Sequence, residues 1–156
     1  MEKKSLLSII LIILLLLVIG YFIYGEIGEK NRTNEIQIAD VNFALPTGYS
    51  ATGLNNLGDL IISNGKDKIY MTIYDTNHVE DYMGDYNNNR KQANETVSFS
   101  NLTINNVHVY KATTNTGATR FWFVKNDQTY IIYTLTKNKN IDDIISKLIK
   151  SMSTNN

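Results

Sequence analysis

The sequence predicts an α+β protein, an N-terminal transmembrane helix followed by an antiparallel β-sheet domain packed by helices. Three observations lead there. One stretch of nineteen residues is almost wholly apolar and uncharged, most of the remaining chain alternates apolar and polar residues with a period of two, and two later segments return to helical spacing. The 156 residues leave room for one compact domain and a short appendage. With 15 basic and 15 acidic side chains there is no basic excess of the kind a phosphate-binding surface shows, so nucleic acid is not an expected partner. The absence of cysteine excludes a disulfide, a thiol nucleophile and a cysteine-linked lipid anchor.

Residues 1–5 form the N-terminus, and the span runs from Leu6 to Tyr24, where only Ser8 and Gly20 fall outside the apolar set. As a helix it measures ~28 Å, close to the ~30 Å hydrocarbon core of a bilayer. Tyr21, Phe22 and Tyr24 gather at its C-terminal end, where amphipathic rings favour the headgroup level. Lys3, Lys4 and the terminal amine stand directly before the span, while Lys30 and Arg32 come later, which orients the N-terminus to the cytoplasm and the C-terminal domain outside the cell membrane. Val18-Ile19-Gly20 is a tolerable signal-peptidase pattern, but the apolar run continues through Phe22-Ile23-Tyr24, which fits a retained anchor better. Residues 25–35 are polar, with two glycines and no apolar period, and read as a tether that keeps residues 36–153 near the bilayer.

All 20 asparagines follow the span. Asn, Ile, Lys and Tyr share A+T-rich codons, so genome composition explains this bias better than an adhesive polar tract does. Asn31, Asn94 and Asn101 each open a glycosylation acceptor sequon, about as many as this Asn and Ser/Thr content produces by chance.

Strands are expected at Ile36–Ile38 and Val41–Leu45, where Pro46-Thr47-Gly48 ends the pattern. Leu60–Ile62 and Ile69–Tyr74 flank Ser63-Asn64-Gly65-Lys66, whose Asn-Gly pair suits a tight hairpin with positive φ at both central positions. Leu102–Ile104 and Val107–Tyr110 are separated by Asn105-Asn106, and Thr119–Val124 and Thr129–Leu135 by residues 125–128. Consecutive hairpins of this kind make a meander. Val79, Tyr82, Met83, Tyr86 and Arg90 recur at helical spacing, with Asn77 and Glu80 as a capping pair, although Gly84 and Asn87-Asn88-Asn89 weaken the helix. Ile141, Ile144, Ile145, Leu148, Ile149 and Met152 mark one face of a closing helix capped by Asn140, with Asp142 and Asp143 in its first turn and Lys147 and Lys150 in its last.

The element order, with Phe43-Ala-Leu45-Pro46-Thr-Gly48-Tyr49, Ile104-Asn-Asn-Val107-His-Val109-Tyr110-Lys111, Phe123-Val-Lys125-Asn126-Asp-Gln-Thr-Tyr130 and the Ile141–Met152 helix, resembles the PsbP-like α/β/α sandwich over residues 41–152. It looks closest to small membrane-anchored proteins of unassigned function from A+T-rich microbes, archaeal ones first. The resemblance implies a binding or assembly module attached to larger complexes, carries no catalytic residues onto this chain, and implies no role in photosynthesis.

Catalytic constellations are scarce. His78 and His108 lie far apart in sequence and read as ordinary polar surface residues. Gly48-Tyr49-Ser50 lacks the second glycine of a nucleophile elbow, and Gly65-Lys66 lacks the first glycine of a phosphate loop. Asp85, Asn87 and Asn89 mimic the start of a calcium loop, yet Arg90 stands where glycine makes the turn and Thr96 where a bidentate Glu belongs. Asp75, Glu80, Asp81 and Asp85 read as a solvated acidic face, so no metal, no cofactor and no catalytic residue are expected.

Alternation does carry functional content. Ile69, Met71, Ile73, Val107, Val109, Phe121 and Phe123 fall on one sheet face, and Tyr70, Tyr74, His108, Tyr110, Arg120 and Trp122 on the other. The first face takes the closing helix. The second is a candidate binding platform, because aromatic rings and Arg give large contact areas with hydrogen-bonding tips, unless the Tyr82/Tyr86 helix covers it. The expected function is therefore a non-catalytic binding module on a single membrane span, with a protein or cell-envelope component as partner. The alternatives are an enzyme or enzyme accessory acting on envelope polymers, and a passive spacer.

Overall fold

The computed structural model describes residues 35–154. The expected N-terminus, the Leu6–Tyr24 span, the tether up to residue 34 and the Asn31 sequon lie outside the described residues. Among the described residues no helix is long and apolar enough to cross a membrane.

Ten strands and two helices follow in the order β1 (Glu35–Ile38), β2 (Val41–Ala44), β3 (Ser50–Leu54), β4 (Leu60–Ser63), β5 (Lys68–Tyr74), α1 (Val79–Gln92), β6 (Val97–Ile104), β7 (Val107–Thr114), β8 (Thr119–Lys125), β9 (Gln128–Thr134), α2 (Ile141–Lys150) and β10 (Ser153–Thr154). A seven-stranded antiparallel sheet has the order β3-β4-β5-β9-β8-β7-β6, and a small sheet has the order β1-β2-β10. The hairpin expected before the first helix gains β3 at its edge, and the meander expected after that helix is β6 to β9; the two are sewn together by the β5–β9 pairing. The break falls where α1 carries the chain from β5 to the far edge, so β6 cannot pair with β5.

Two short hairpins follow from left-handed backbone. Ile104 pairs with Val107 across Asn105-Asn106 (φ 49° and 63°), and Lys125 pairs with Gln128 across Asn126-Asp127 (φ 52° and 57°), both matching a tight I′-type connection. The Asn64-Gly65 expectation is corrected. Ser63 pairs with Lys68 across a four-residue loop, and of these four residues only Gly65 has positive φ (86°). The side chains explain the wider loop. Asn64 Oδ1 accepts the Lys66 and Asp67 amides at 3.0 and 2.7 Å, and Ser63 Oγ donates to the Asp67 carbonyl at 2.9 Å, so local polar bonds replace the tight turn.

Asn140 takes the expected N-cap position of α2, while the expected cap of α1 is corrected. His78, not Asn77, takes the N-cap position of α1, and neither it nor Asn140 at the start of α2 makes a side-chain capping bond. Asn140 contributes its carbonyl instead, which accepts the Ile144 amide at 3.0 Å.

The large sheet is covered on both faces. Ile69, Met71, Val109, Phe121, Phe123 and Ile132 form one core with α2 and with Val41 and Phe43 of the small sheet. Trp122, Ile131, Tyr133 and Ala112 form a second core with Val79 and Tyr86 of α1. The PsbP-like two-sided expectation therefore describes the layers, with α1 as the roof over the aromatic face.

Candidate functional site

Strand pairing gathers the six expected surface residues on one face in cross-strand rows. Tyr70, Tyr133, Arg120 and Ala112 lie in register across β5, β9, β8 and β7, and beside them run Thr72, Ile131, Trp122 and Tyr110. Directly opposed residues on one face stand close enough for rings and long side chains to touch.

Their fates differ with distance from α1. Trp122 is 0% exposed, sealed beneath the Tyr86 ring at 5.5 Å and 69°, so it contributes core and no surface. Tyr70 is half-buried and stacks on Tyr133 at 5.0 Å and 16°. Tyr74 is 45% exposed and stacks on Tyr82 of α1 at 4.6 Å and 22°. The Tyr82 hydroxyl is in turn 2.6 Å from Thr76 Oγ1, which fixes the ring pair. His108 is exposed and meets the half-buried Tyr110 edge-on at 4.6 Å. Tyr110 also lines an open cleft of about 370 Å³ with Val124 and with Asn77, His78, Glu80 and Asp81 at the start of α1. The platform is therefore a rim around a roofed centre.

Arg120 occupies a different setting. Its guanidinium carbon lies 4.6 Å from the ring centroids of both Tyr86 and Tyr133. Burial lowers its pKa, with the surrounding tyrosines acting in the opposite sense, yet guanidinium stays protonated across the accessible pH range. The next ring in the row is tuned as well. The Tyr133 hydroxyl donates to Asp59 Oδ2 at 2.5 Å, and its pKa is pushed up to about 12, first by burial and then by that bond. Asp59 is itself buried and accepts from Asn55 Nδ2 at 2.9 Å. Tyr133, Tyr86 and Asp59 were not among the expected site residues. Tyr133 shares the parity of Ile131 on β9, so alternation along that strand signals it; Tyr86 and Asp59 arrive from a helix and a loop, where strand alternation carries no signal.

The remaining candidates are separate. Asp75 accepts from Gln128 Nε2 at 3.1 Å and Asp81 lies 3.5 Å from His78, and among the described residues no group of His, Asp and Glu is arranged to hold a metal ion. Asn94, at left-handed φ (58°), and Asn101 on β6 are both exposed. A second open cleft of about 370 Å³, on the α2 side, includes Tyr49, Asp67, Asp143 and Lys147. There Lys147 holds Asp143 at 2.7 Å, and burial followed by the charge of Asp67 raises the Tyr49 pKa.

No protein-family profile matches the chain, and no curated protein matches it. Among solved structures it is similar to cyanobacterial PsbP (CyanoP) from Synechocystis sp. PCC 6803, with 8% identity, a TM-score of 0.52, and 78% of this chain and 91% of that chain covered. A Bacteroides thetaiotaomicron VPI-5482 protein matches at 7% identity and a TM-score of 0.45, over 80% of this chain and 49% of that one, too loosely to argue from. The PsbP (CyanoP) likeness extends to the fold alone: residues 35–154 adopt a PsbP-like arrangement of an antiparallel sheet between helices.

Proposed function

We propose that the chain is a single-pass membrane protein that displays a non-catalytic binding module outside the cell, and that it takes a protein or envelope component on the rim of its aromatic sheet face. One observation carries this reading: Tyr74, Tyr110 and His108 remain accessible while each is braced by another ring, at 4.6 Å in both pairs. Braced rings lose little conformational entropy on contact and present apolar area beside a polar tip, the properties that make aromatic anchors effective in recognition. The apolar Leu6–Tyr24 segment supports the anchor, and the flanking lysines support the orientation.

Pull-down of the full chain from detergent-solubilised membranes tests the rim. Tyr74→Ala combined with Tyr110→Ala is expected to release the captured component, while Lys150→Ala, at an exposed position of α2, retains it. Retention by the rim variant would sink the binding reading and leave the spacer. Protease shaving of intact cells tests the topology separately, since a protected C-terminal domain would reverse the orientation.

A further inference from the structure

We infer that a small cavity between the end of α1, the start of β8 and the end of β9 is a binding site for a carboxylate group. The cavity measures about 60 Å³ and is lined by Arg90, Arg120, Thr134, Tyr86, Tyr133 and Glu95, with Leu135 among its other walls. At about 10–15 Å³ for each water-sized position, it holds roughly four to six such positions, which is the scale of a carboxylate and its first carbon.

Three buried donor-bearing atoms without a hydrogen-bond partner among the described residues belong to this one lining: Arg90 Nε, Arg120 Nε and Thr134 Oγ1. Buried polar atoms are nearly always paired, so three orphans around one cavity mark a place built for an acceptor. Ring contacts set which N–H groups remain available. Tyr86 and Tyr133 cover Arg120 at 4.6 Å each, so stacking occupies the guanidinium and leaves its in-plane N–H groups to bond at the edges. Among the described residues Arg120 forms no ion pair, whereas Arg90 is joined to Glu95 at 3.4 Å. Two guanidiniums and one carboxylate leave the lining with one net positive charge, which balances a monoanion. A planar carboxylate also accepts two parallel N–H bonds from a guanidinium fork. Leu135 is 60% exposed beside the opening, where it can cover the carbon attached to the carboxylate.

The carboxylate has two sources, a free small acid or the C-terminus of a partner polypeptide. Both are tested by amide chemical shifts of the full chain in zwitterionic detergent, titrated in parallel with sodium acetate, with an N-acetylated tripeptide bearing a free carboxylate, and with the same tripeptide as its amide. Sodium chloride serves as the control for ionic strength. Saturable shifts at Thr119, Arg120 and Thr134 with acetate or the free peptide, absent with the amide and with chloride, are expected. Acetate alone identifies a free acid, and tighter binding of the peptide identifies a chain terminus. Arg120→Gln is expected to weaken binding about tenfold or more. Arg90→Gln removes the outer cation over Tyr86, at 5.1 Å from its ring centroid, but leaves Arg120 on Tyr86 and Tyr133; it provides a second variant and is expected to weaken binding in the same direction. Shifts that fail to saturate, that spread over surface lysines, that appear equally with the amide or with chloride, or that persist in Arg90→Gln and Arg120→Gln would overturn the assignment.

Discussion

The two faces of the seven-stranded sheet are closed by different chemistry. On the α2 side a short helix presents Ile141, Ile144, Ile145, Leu148 and Ile149 to Phe121, Phe123 and Ile132, and the seal is aliphatic burial. On the α1 side the helix buries only Val79 and Tyr86, its outer surface carries the Asn87–Asn89 run, and the seal depends on stacked rings with a cation between them. Nondirectional burial tolerates no gap but demands no orientation, whereas ring and cation contacts hold only in set geometries and leave polar edges open. The difference explains why the open rim and the Arg120 cavity are found on the α1 side.

The largest expected effect tests the aliphatic seal. Ile145 is fully buried, so Ile145→Ala removes its transfer energy and leaves a cavity, costing about 2–5 kcal/mol in denaturant unfolding. Met83→Ala on α1, where the side chain is only half-buried, is expected to cost about 1 kcal/mol. Equal losses would erase the contrast between the faces.

A smaller effect compares one tyrosine from each face. Tyr130, on the α2 side, and Tyr133, on the α1 side, both have pKa values raised from 10.0 to about 12, with burial the first cause in each. A raised pKa means that folding favours the protonated phenol. The stabilisation is therefore complete below pH 10.0 and is lost as pH rises through about 12. Stability measured by denaturant at stepped alkaline pH should fall across that window, and either Phe variant should flatten the fall. At neutral pH the two should separate. Tyr133→Phe removes a 2.5 Å donor from buried Asp59, costing about 1–3 kcal/mol, while Tyr130→Phe removes only contacts of 3.4 and 3.5 Å.

The same contrast governs how much of the fold is legible in the sequence. The α2 helix and the facing of β5, β7 and β8 were legible because apolar burial imposes a period, and Phe121 and Trp122 do fall into opposite cores. Strand β3 escaped notice because Ser50–Leu54 is an edge with every residue exposed, a bulge between Ala51 and Gly53, and no alternation to detect. Strand β10 is two residues long and exists only because α2 returns the chain to β2. For the site, parity brought the six residues to one face, but the position of the roof decides which are covered. Trp122 and Tyr110 are neighbours in one cross-strand row, yet one is core and the other lines a cleft.

The smallest effect bears on the roof itself. Gly84 lies near the middle of α1, its φ is not in the left-handed region, and a methyl group placed on it meets nothing within 4 Å. It therefore serves no turn or close approach, and its consequence is a helix with a weakened interior. Gly84→Ala is expected to stabilise the domain by about 1 kcal/mol, through backbone entropy and without any new contact. Because the gain acts on α1 alone, amide exchange should slow along Val79–Gln92 by more than the global change in unfolding accounts for if the roof opens locally. Uniform slowing across both helices would show instead that the roof and the aliphatic core open only together, and the division between the two faces would then be one of chemistry without a difference in dynamics.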